Sequence, residues 1–302
     1  MGAPESARAI SVEGGQGCLV GRFHAMASPC EILIESEDRE LAAHLTGTAA
    51  AEAWRIEDKL SRYIPDNIVG RINTSGGRPI ELDDETASLL DFAATLFELS
   101  DGRFDVTSGV LREVWTFDGG DRIPARTAVN DVLQRVGWGR VSWRRPVLTL
   151  EPGMEIDFGG IGKEYAVDRT AGMLGEAAAC SVVVNFGGDL AVTRRPEKRR
   201  AWRVGIEAVP AASERGETVV EIRTGALATS GDSRRFLLSD GVRYSHILDP
   251  GNGWPVEGAP RSVTVAADTC TQAGMLSTLA MLRGYSAETF LDGEGVRYWC
   301  WR

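Results

Sequence analysis

Ile156-Asp157-Phe158-Gly159-Gly160-Ile161-Gly162-Lys163-Glu164-Tyr165-Ala166-Val167-Asp168 decides how the rest of the chain is read. An apolar and acidic lead-in runs into three glycines within four residues, then a lysine, then Val167, Ala171 and Leu174 at helical spacing. Glycines ahead of a helix let backbone approach a bulky anion, and the helix N-terminus offers free N–H groups and positive potential. Lys163 adds a full charge at the same place. The stretch has neither the Walker spacing nor Gly-x-Gly-x-x-Gly. Two readings stand at this point: a phosphate cradle, or a tight strand-to-helix turn with a surface lysine.

The chain has 302 residues with a formal net charge of −10. That size allows one large domain or two small ones. An acidic chain without a long basic run argues against nucleic acid as a partner. No apolar run reaches the roughly 18 residues of a membrane span, so direct membrane insertion is not expected. Five cysteines, an odd number without Cys-x-x-Cys, read as reduced thiols, and three histidines are too few for a multi-histidine metal site. Met1 to Ile10 is polar and lacks a hydrophobic signal core or lipid-attachment signal. As written the sequence reads as cytoplasmic, with the periplasmic face the alternative for a form that carries an export signal.

Outward from the glycine stretch, residues 1–18 read as a loose lead-in and 19–302 as one domain. Leu19 to Glu35 reads as two strands broken at Ala27-Ser28-Pro29, and Leu41 to Leu60 as a long helix. Asp84 is placed as the cap of a second helix with Leu89, Leu90, Phe92, Ala93, Leu96 and Phe97 on its apolar face. Val110 to Trp115 and Val129 to Val136 read as short helices, and Trp138 to Leu150 as paired strands. Strands are expected at Ser181–Phe186, Trp202–Ile206, Val219–Ile222, Ala226–Ser230, around Tyr244–His246, at Ser262–Ala267 and at Val296–Trp301, with a helix over Thr271–Leu282. Strands and helices interleave without a regular βαβ period, which predicts an α+β fold. Several strands end in glycine or hydroxyl turns that have the means to converge.

Those turns, in their order, resemble the ApbE family of flavin transferases (FAD:protein FMN transferases). The pieces are Ser61-Arg62-Tyr63-Ile64-Pro65-Asp66-Asn67 with Asn73, Ser100-Asp101-Gly102-Arg103-Phe104-Asp105-Val106-Thr107, and the glycine stretch itself. Asn185-Phe186-Gly187-Gly188-Asp189, Ala228-Thr229-Ser230-Gly231-Asp232 and Tyr244-Ser245-His246-Ile247-Leu248-Asp249-Pro250 complete the set. The resemblance spans roughly residues 22 to 285 and implies one α+β domain of mixed or antiparallel sheets with helices, its ligand site between two lobes. It implies FAD as substrate, Mg²⁺ as helper, and transfer of FMN to a threonine or serine of an acceptor protein with release of AMP. It implies flavin or adenine contacts at Met26 and Tyr63, and an FAD-site lining at Arg103, Phe104, Asp105 and Leu248. It gives FAD ligands at Asp157 and Lys163, and a pyrophosphate region at Thr229, Ser230 and Gly231. His246, with Asp249 behind it, stands where the family has its candidate base.

The sequence departs from the family at the metal. The resemblance implies that an aspartate and a threonine four residues later, with a carbonyl near Gly160, hold Mg²⁺. Here Thr278 is present and the aspartate position is Gly274. Glu164 stands where the family usually has glycine; Glu164, Asp232 and Asp268 are alternative carboxylate donors. Gly274 therefore sets a second reading, an FAD-binding carrier or sensor without transfer, beside the transferase. An FAD pyrophosphatase using water, and a purely structural module, complete the alternatives.

Overall fold

The computed structural model describes residues 8–15, 17–206, 218–233 and 235–302. In chain order the strands are β1 (Ser11–Gly15), β2 (Cys18–Ala25), β3 (Ser28–Ile34), β4 (Ile80–Glu81), β5 (Ser142–Arg144), β6 (Val147–Thr149), β7 (Val182–Phe186) and β8 (Asp189–Val192). They continue as β9 (Trp202–Ile206), β10 (Thr218–Ile222), β11 (Gly225–Gly231), β12 (Phe236–Ser239), β13 (Val242–Ser245), β14 (Ser262–Ala267) and β15 (Arg297–Trp301). The α-helices are α1 (Arg39–Leu60), α2 (Ile68–Asn73), α3 (Asp84–Leu99), α4 (Arg126–Leu133), α5 (Gly162–Ala177), α6 (Cys270–Leu282) and α7 (Ala287–Glu294).

Eight strands make one sheet in the order β1-β2-β3-β7-β8-β11-β14-β15, and every neighbouring pair is antiparallel. The fold is α+β, as the lack of a βαβ period predicts. Side chains alternate across the pleat. Val182 and Val184 of β7 enter the large core under α1, α5 and α6, while Val183 faces a second core closed by the β9–β10 hairpin. Helix α1 lies close on the sheet through a face of small residues, Ala42, Thr46, Ala49 and Ala53, all fully buried. A Cβ on Gly21 of β2 would sit 1.9 Å from Thr46 Oγ1, so only glycine admits the helix there. A third core joins Val110, Leu111, Trp115, Val129, Val132 and Leu237 and forms a separate lobe with the β12–β13 hairpin.

Some expectations need correction. The lead-in is not loose throughout: residues 11–15 form edge strand β1, paired with β2 from Ser11↔Arg22 to Gly15↔Cys18. Residues 1–7 of that stretch lie outside the described residues. Helix α3 is capped by Asp83, not Asp84; its carboxylate accepts the Glu85 and Thr86 N–H groups. The segment expected to resume as helix at Val110 is 3₁₀ over Val106–Glu113. Strand β13 stops at Ser245, so His246 stands just past its end. Among the described residues no helix is long and apolar enough to cross a membrane.

Candidate active site

One end of the large sheet gathers the turns. The β2–β3 turn at Met26-Ala27 has left-handed backbone, with φ of 51° and 55°. It abuts the β7–β8 turn, where a Cβ on Gly187 would lie 2.7 Å from Ser28 Oγ and 3.9 Å from Lys163 Nζ. The antiparallel register of β11 on β8 brings Thr229-Ser230-Gly231 to the same end. Helix α5 begins here as well. Its N-cap residue, Ile161, has no capping side chain; the Gly162 N–H bonds the Phe158 carbonyl at 2.8 Å, and the Lys163 and Glu164 N–H groups have no backbone partner among the described residues. Met26, Lys163, Thr229, Ser230 and Gly231 are thereby brought together.

Lys163 Nζ lies 2.6 Å from Asp189 Oδ2, and Asp189 Oδ1 accepts the Thr229 N–H at 2.9 Å. Burial works against the Lys163 charge, but Asp189 and then Glu164 outweigh it, and its pKa stands above the ordinary lysine value. Asp189, which no sequence motif assigns a role, ties the lysine of α5 to the hydroxyl turn of β11. Ser230 Oγ shares hydrogen bonds of 2.9 Å with both Ser277 Oγ and Thr278 Oγ1 of α6, and Thr229 Oγ1 lies 2.8 Å from Thr264 Oγ1. Asp168, also without an assigned role, caps α6 from α5: its two oxygens accept the Cys270 and Thr271 N–H groups at 2.7 Å each.

The glycine loop is held from behind. Asn73 pairs with Ile156 like a strand neighbour, accepting its N–H at 2.7 Å and donating to its carbonyl at 3.0 Å. Asp157 accepts the Gly159 N–H at 2.9 Å and forms an ion pair with Arg62. The Arg62 guanidinium sits 5.0 Å over the Tyr63 ring and donates to its hydroxyl at 2.9 Å. The Tyr63 ring is 70% exposed, open to stacking by a planar ligand. Arg103 is exposed at its turn. Phe104 packs on Gly160, where a Cβ would meet its ring at 3.1 Å.

Asp105 is buried and fully engaged by its own lobe. It accepts the Thr107 N–H at 2.8 Å, the Thr107 hydroxyl at 2.6 Å and the Trp138 N–H at 2.8 Å. Its contribution is to hold Phe104 and the start of the 3₁₀ segment. Asp105→Ala is expected to destabilise the fold by about 2–4 kcal/mol, read as a lower denaturation midpoint, because two N–H groups lose a charged acceptor.

His246 stands where the lobes meet: Ile247 packs against the large core, while Tyr244 and Leu248 pack against the smaller one. Leu248 pairs across to Pro255. The His246 Nδ1 lies 3.1 Å from the Arg235 carbonyl, and the ring meets Phe117 edge-on at 6.3 Å. A neutral ring then donates from Nδ1 and keeps the Nε2 lone pair free. Burial, helped by Arg235, lowers the imidazole pKa; Asp232 opposes. Asp249 does not orient His246: its carboxylate accepts from Gly251 N at 2.8 Å and Asn252 Nδ2 at 3.2 Å, inside its own turn.

Asp232 is buried between Arg243 and Arg261, at 2.9 and 2.8 Å, and has no oxygen to spare. Asp268 follows Ala267, which pairs with Ala226 at the far end of β11 from Ser230 and Gly231. Glu164 is different. It is buried in the first turn of α5 and lies over Gly274, where a Cβ would meet its Cγ at 2.5 Å and its Oε1 at 3.0 Å. Its Oε2 is buried without a hydrogen-bond partner among the described residues. Burial above all, then the Asp189 charge, push this carboxyl up to about 8, with Lys163 opposing. Among the described residues no three His, Cys, Asp or Glu side chains form a metal-ready group. One carboxylate beside hydroxyls and a carbonyl does fit Mg²⁺, which takes few protein ligands and completes its shell with phosphate and water.

The fold is shared with solved ApbE proteins. The apo Pseudomonas stutzeri flavinyl transferase ApbE superposes with a TM-score of 0.81 at 28% identity, covering 96% of this chain and 91% of that one. The Thermotoga maritima ApbE protein superposes at 0.78 with 29% identity, covering 94% of each chain. The chain belongs to the ApbE family, whose sequence profile matches residues 26–297. A Treponema pallidum relative, an FAD:protein FMN transferase, is 30% identical over 254 residues, spanning 78% of this chain and 70% of its own.

Proposed function

We propose that the protein transfers FMN from FAD to a serine or threonine hydroxyl of an acceptor protein and releases AMP. The observation that carries this is the junction of the uncapped α5 N-terminus and Lys163 with the Thr229–Ser230 turn, in a family whose relatives are FAD:protein FMN transferases. Open N–H groups and an ammonium suit a pyrophosphate. Tyr63 offers its exposed ring to a flat heterocycle.

Phosphoryl transfer asks mainly for position and charge neutralisation. The glycine loop and Lys163 hold the phosphate oxygens, and Asp189 fixes Lys163 and the Thr229 backbone relative to each other. His246 Nε2 takes the proton of the acceptor hydroxyl as its oxygen bonds to the FMN phosphorus. The bond from that phosphorus to the oxygen of the AMP phosphate breaks, and AMP leaves. Mg²⁺, when bound, would neutralise charge on the pyrophosphate; Thr278, the Gly160 carbonyl and a carboxylate are the groups to hold it.

The reading is tested by mixing the protein with FAD, Mg²⁺ and the acceptor protein of the Treponema relative. Covalent flavin fluorescence on denatured acceptor is expected. FMN and AMP formed at the same rate without acceptor would favour the pyrophosphatase, and FAD bound but uncleaved would favour the carrier. Gly274 is what recommended the carrier, and Glu164 lying over it weakens that support.

A further inference from the structure

We propose that Glu164 supplies the carboxylate of the metal site, reaching from α5 into the space that Gly274 leaves open on α6. The inference rests on the flavin-transfer reading and deepens it. Helices α5 and α6 run antiparallel, with Asp168 bonded to Cys270 at one level and Glu164 against Gly274 one turn further. One turn before Glu164 stands Gly160, and one turn after Gly274 stands Thr278, bonded to Ser230. The Glu164 carboxylate therefore points to where a short acidic side chain at 274 would project, on the helix face that carries Thr278.

The neighbouring carboxylates are spoken for. Asp189 is paired with Lys163 and holds the Thr229 N–H, Asp168 caps α6, and Asp232 lies between two arginines. Glu164 alone of these keeps a buried oxygen with neither hydrogen bond nor ion pair among the described residues. The glycine at 274 is then part of the arrangement. Any side chain there would collide with Glu164, whose Cγ already lies 2.5 Å from the Cβ position. The carboxylate has moved from one helix to the other, and the small residue has moved the opposite way.

The test is Mn²⁺ binding, followed by electron paramagnetic resonance of free Mn²⁺, to FAD-loaded wild type, Glu164→Gln, the Glu164→Gly/Gly274→Asp exchange, and Asp268→Asn. Glu164→Gln keeps shape and loses charge; it is expected to weaken Mn²⁺ by more than about tenfold, the lower bound seen when even a group that only orients a ligand is removed. The exchange is expected to bring the affinity back, and Asp268→Asn to leave it unchanged. Folded Glu164→Gln that binds Mn²⁺ as wild type does overturns the proposal. Should Glu164→Gln not fold, the exchange variant decides: Mn²⁺ binding supports the proposal and its absence in folded protein overturns it. Quenching of flavin fluorescence on the wild type keeps the two readings apart. Wild type that binds no FAD defeats the flavin reading itself, whereas FAD bound with Glu164→Gln still holding Mn²⁺ defeats only the assignment of Glu164.

Discussion

His246→Ala is expected to lower the rate of FMN transfer by about 10²–10⁴-fold, the usual contribution of a positioned general base, while leaving FAD affinity unchanged. The ring is held by the Arg235 carbonyl through Nδ1, which leaves Nε2 to accept a proton. Burial first, then Arg235, lower its pKa against the opposing Asp232 charge, so the neutral base is the ground state at physiological pH. The sign follows. Protonated His246 has no lone pair to offer, so the wild-type rate falls as pH drops through a pKa below the ordinary value of about 6.5 and is level above it. The residual rate of His246→Ala is expected to lack that acid limb. Full transfer by the alanine variant, or an unchanged limb, would remove His246 from the role of base.

Lys163→Met is the second large effect, and it separates binding from folding. Losing one charged contact to phosphate is worth about 1.5–3 kcal/mol, so FAD is expected to bind roughly 10–100-fold more weakly. Asp189, 2% exposed, is left buried without its counter-ion, and Glu164 stands beside it. Breaking a buried pair costs about 3–5 kcal/mol, and the cost here falls toward the lower end because Lys163 keeps 28% exposure. Adding Asp189→Asn removes the stranded charge and keeps an acceptor for the Thr229 N–H. The double variant is expected to recover most of the stability, read by chemical denaturation, and none of the FAD affinity. Recovery of FAD affinity in that double variant would mean that Lys163 acts only on Asp189.

The large elements were legible because their patterns are periodic: α1, α3 and the β2–β3 pair follow apolar spacing directly. Other elements carried no such pattern. Strand β8 is four residues buried on both faces, so nothing in it alternates. Strand β1 is an exposed edge containing Gly14 and Gly15 and reads as loop until its register with β2 is seen. Helix α6, though buried nearly all round, is expected over Thr271–Leu282 and found at Cys270–Leu282.

The glycine cradle was open to reading because its residues are contiguous. The roles of Asp189, Asp168 and Asp105 were not, because each is set by a partner distant in sequence: Lys163, the α6 N-terminus and Trp138. Glu164 and Gly274 show this most clearly. Each looks like an isolated anomaly in its own motif, and only the packing of α5 on α6 makes them one feature.

As proposed, the chain breaks FAD and places its FMN half on an acceptor hydroxyl. A single mixture of protein, FAD, Mg²⁺ and acceptor, with AMP released and flavin covalently bound to the acceptor both measured by mass spectrometry, decides it. The two are expected to rise together in equal amounts, and neither is expected to rise when the acceptor is left out. Intact FAD throughout, or AMP accumulating with free FMN and an unmodified acceptor, would contradict it.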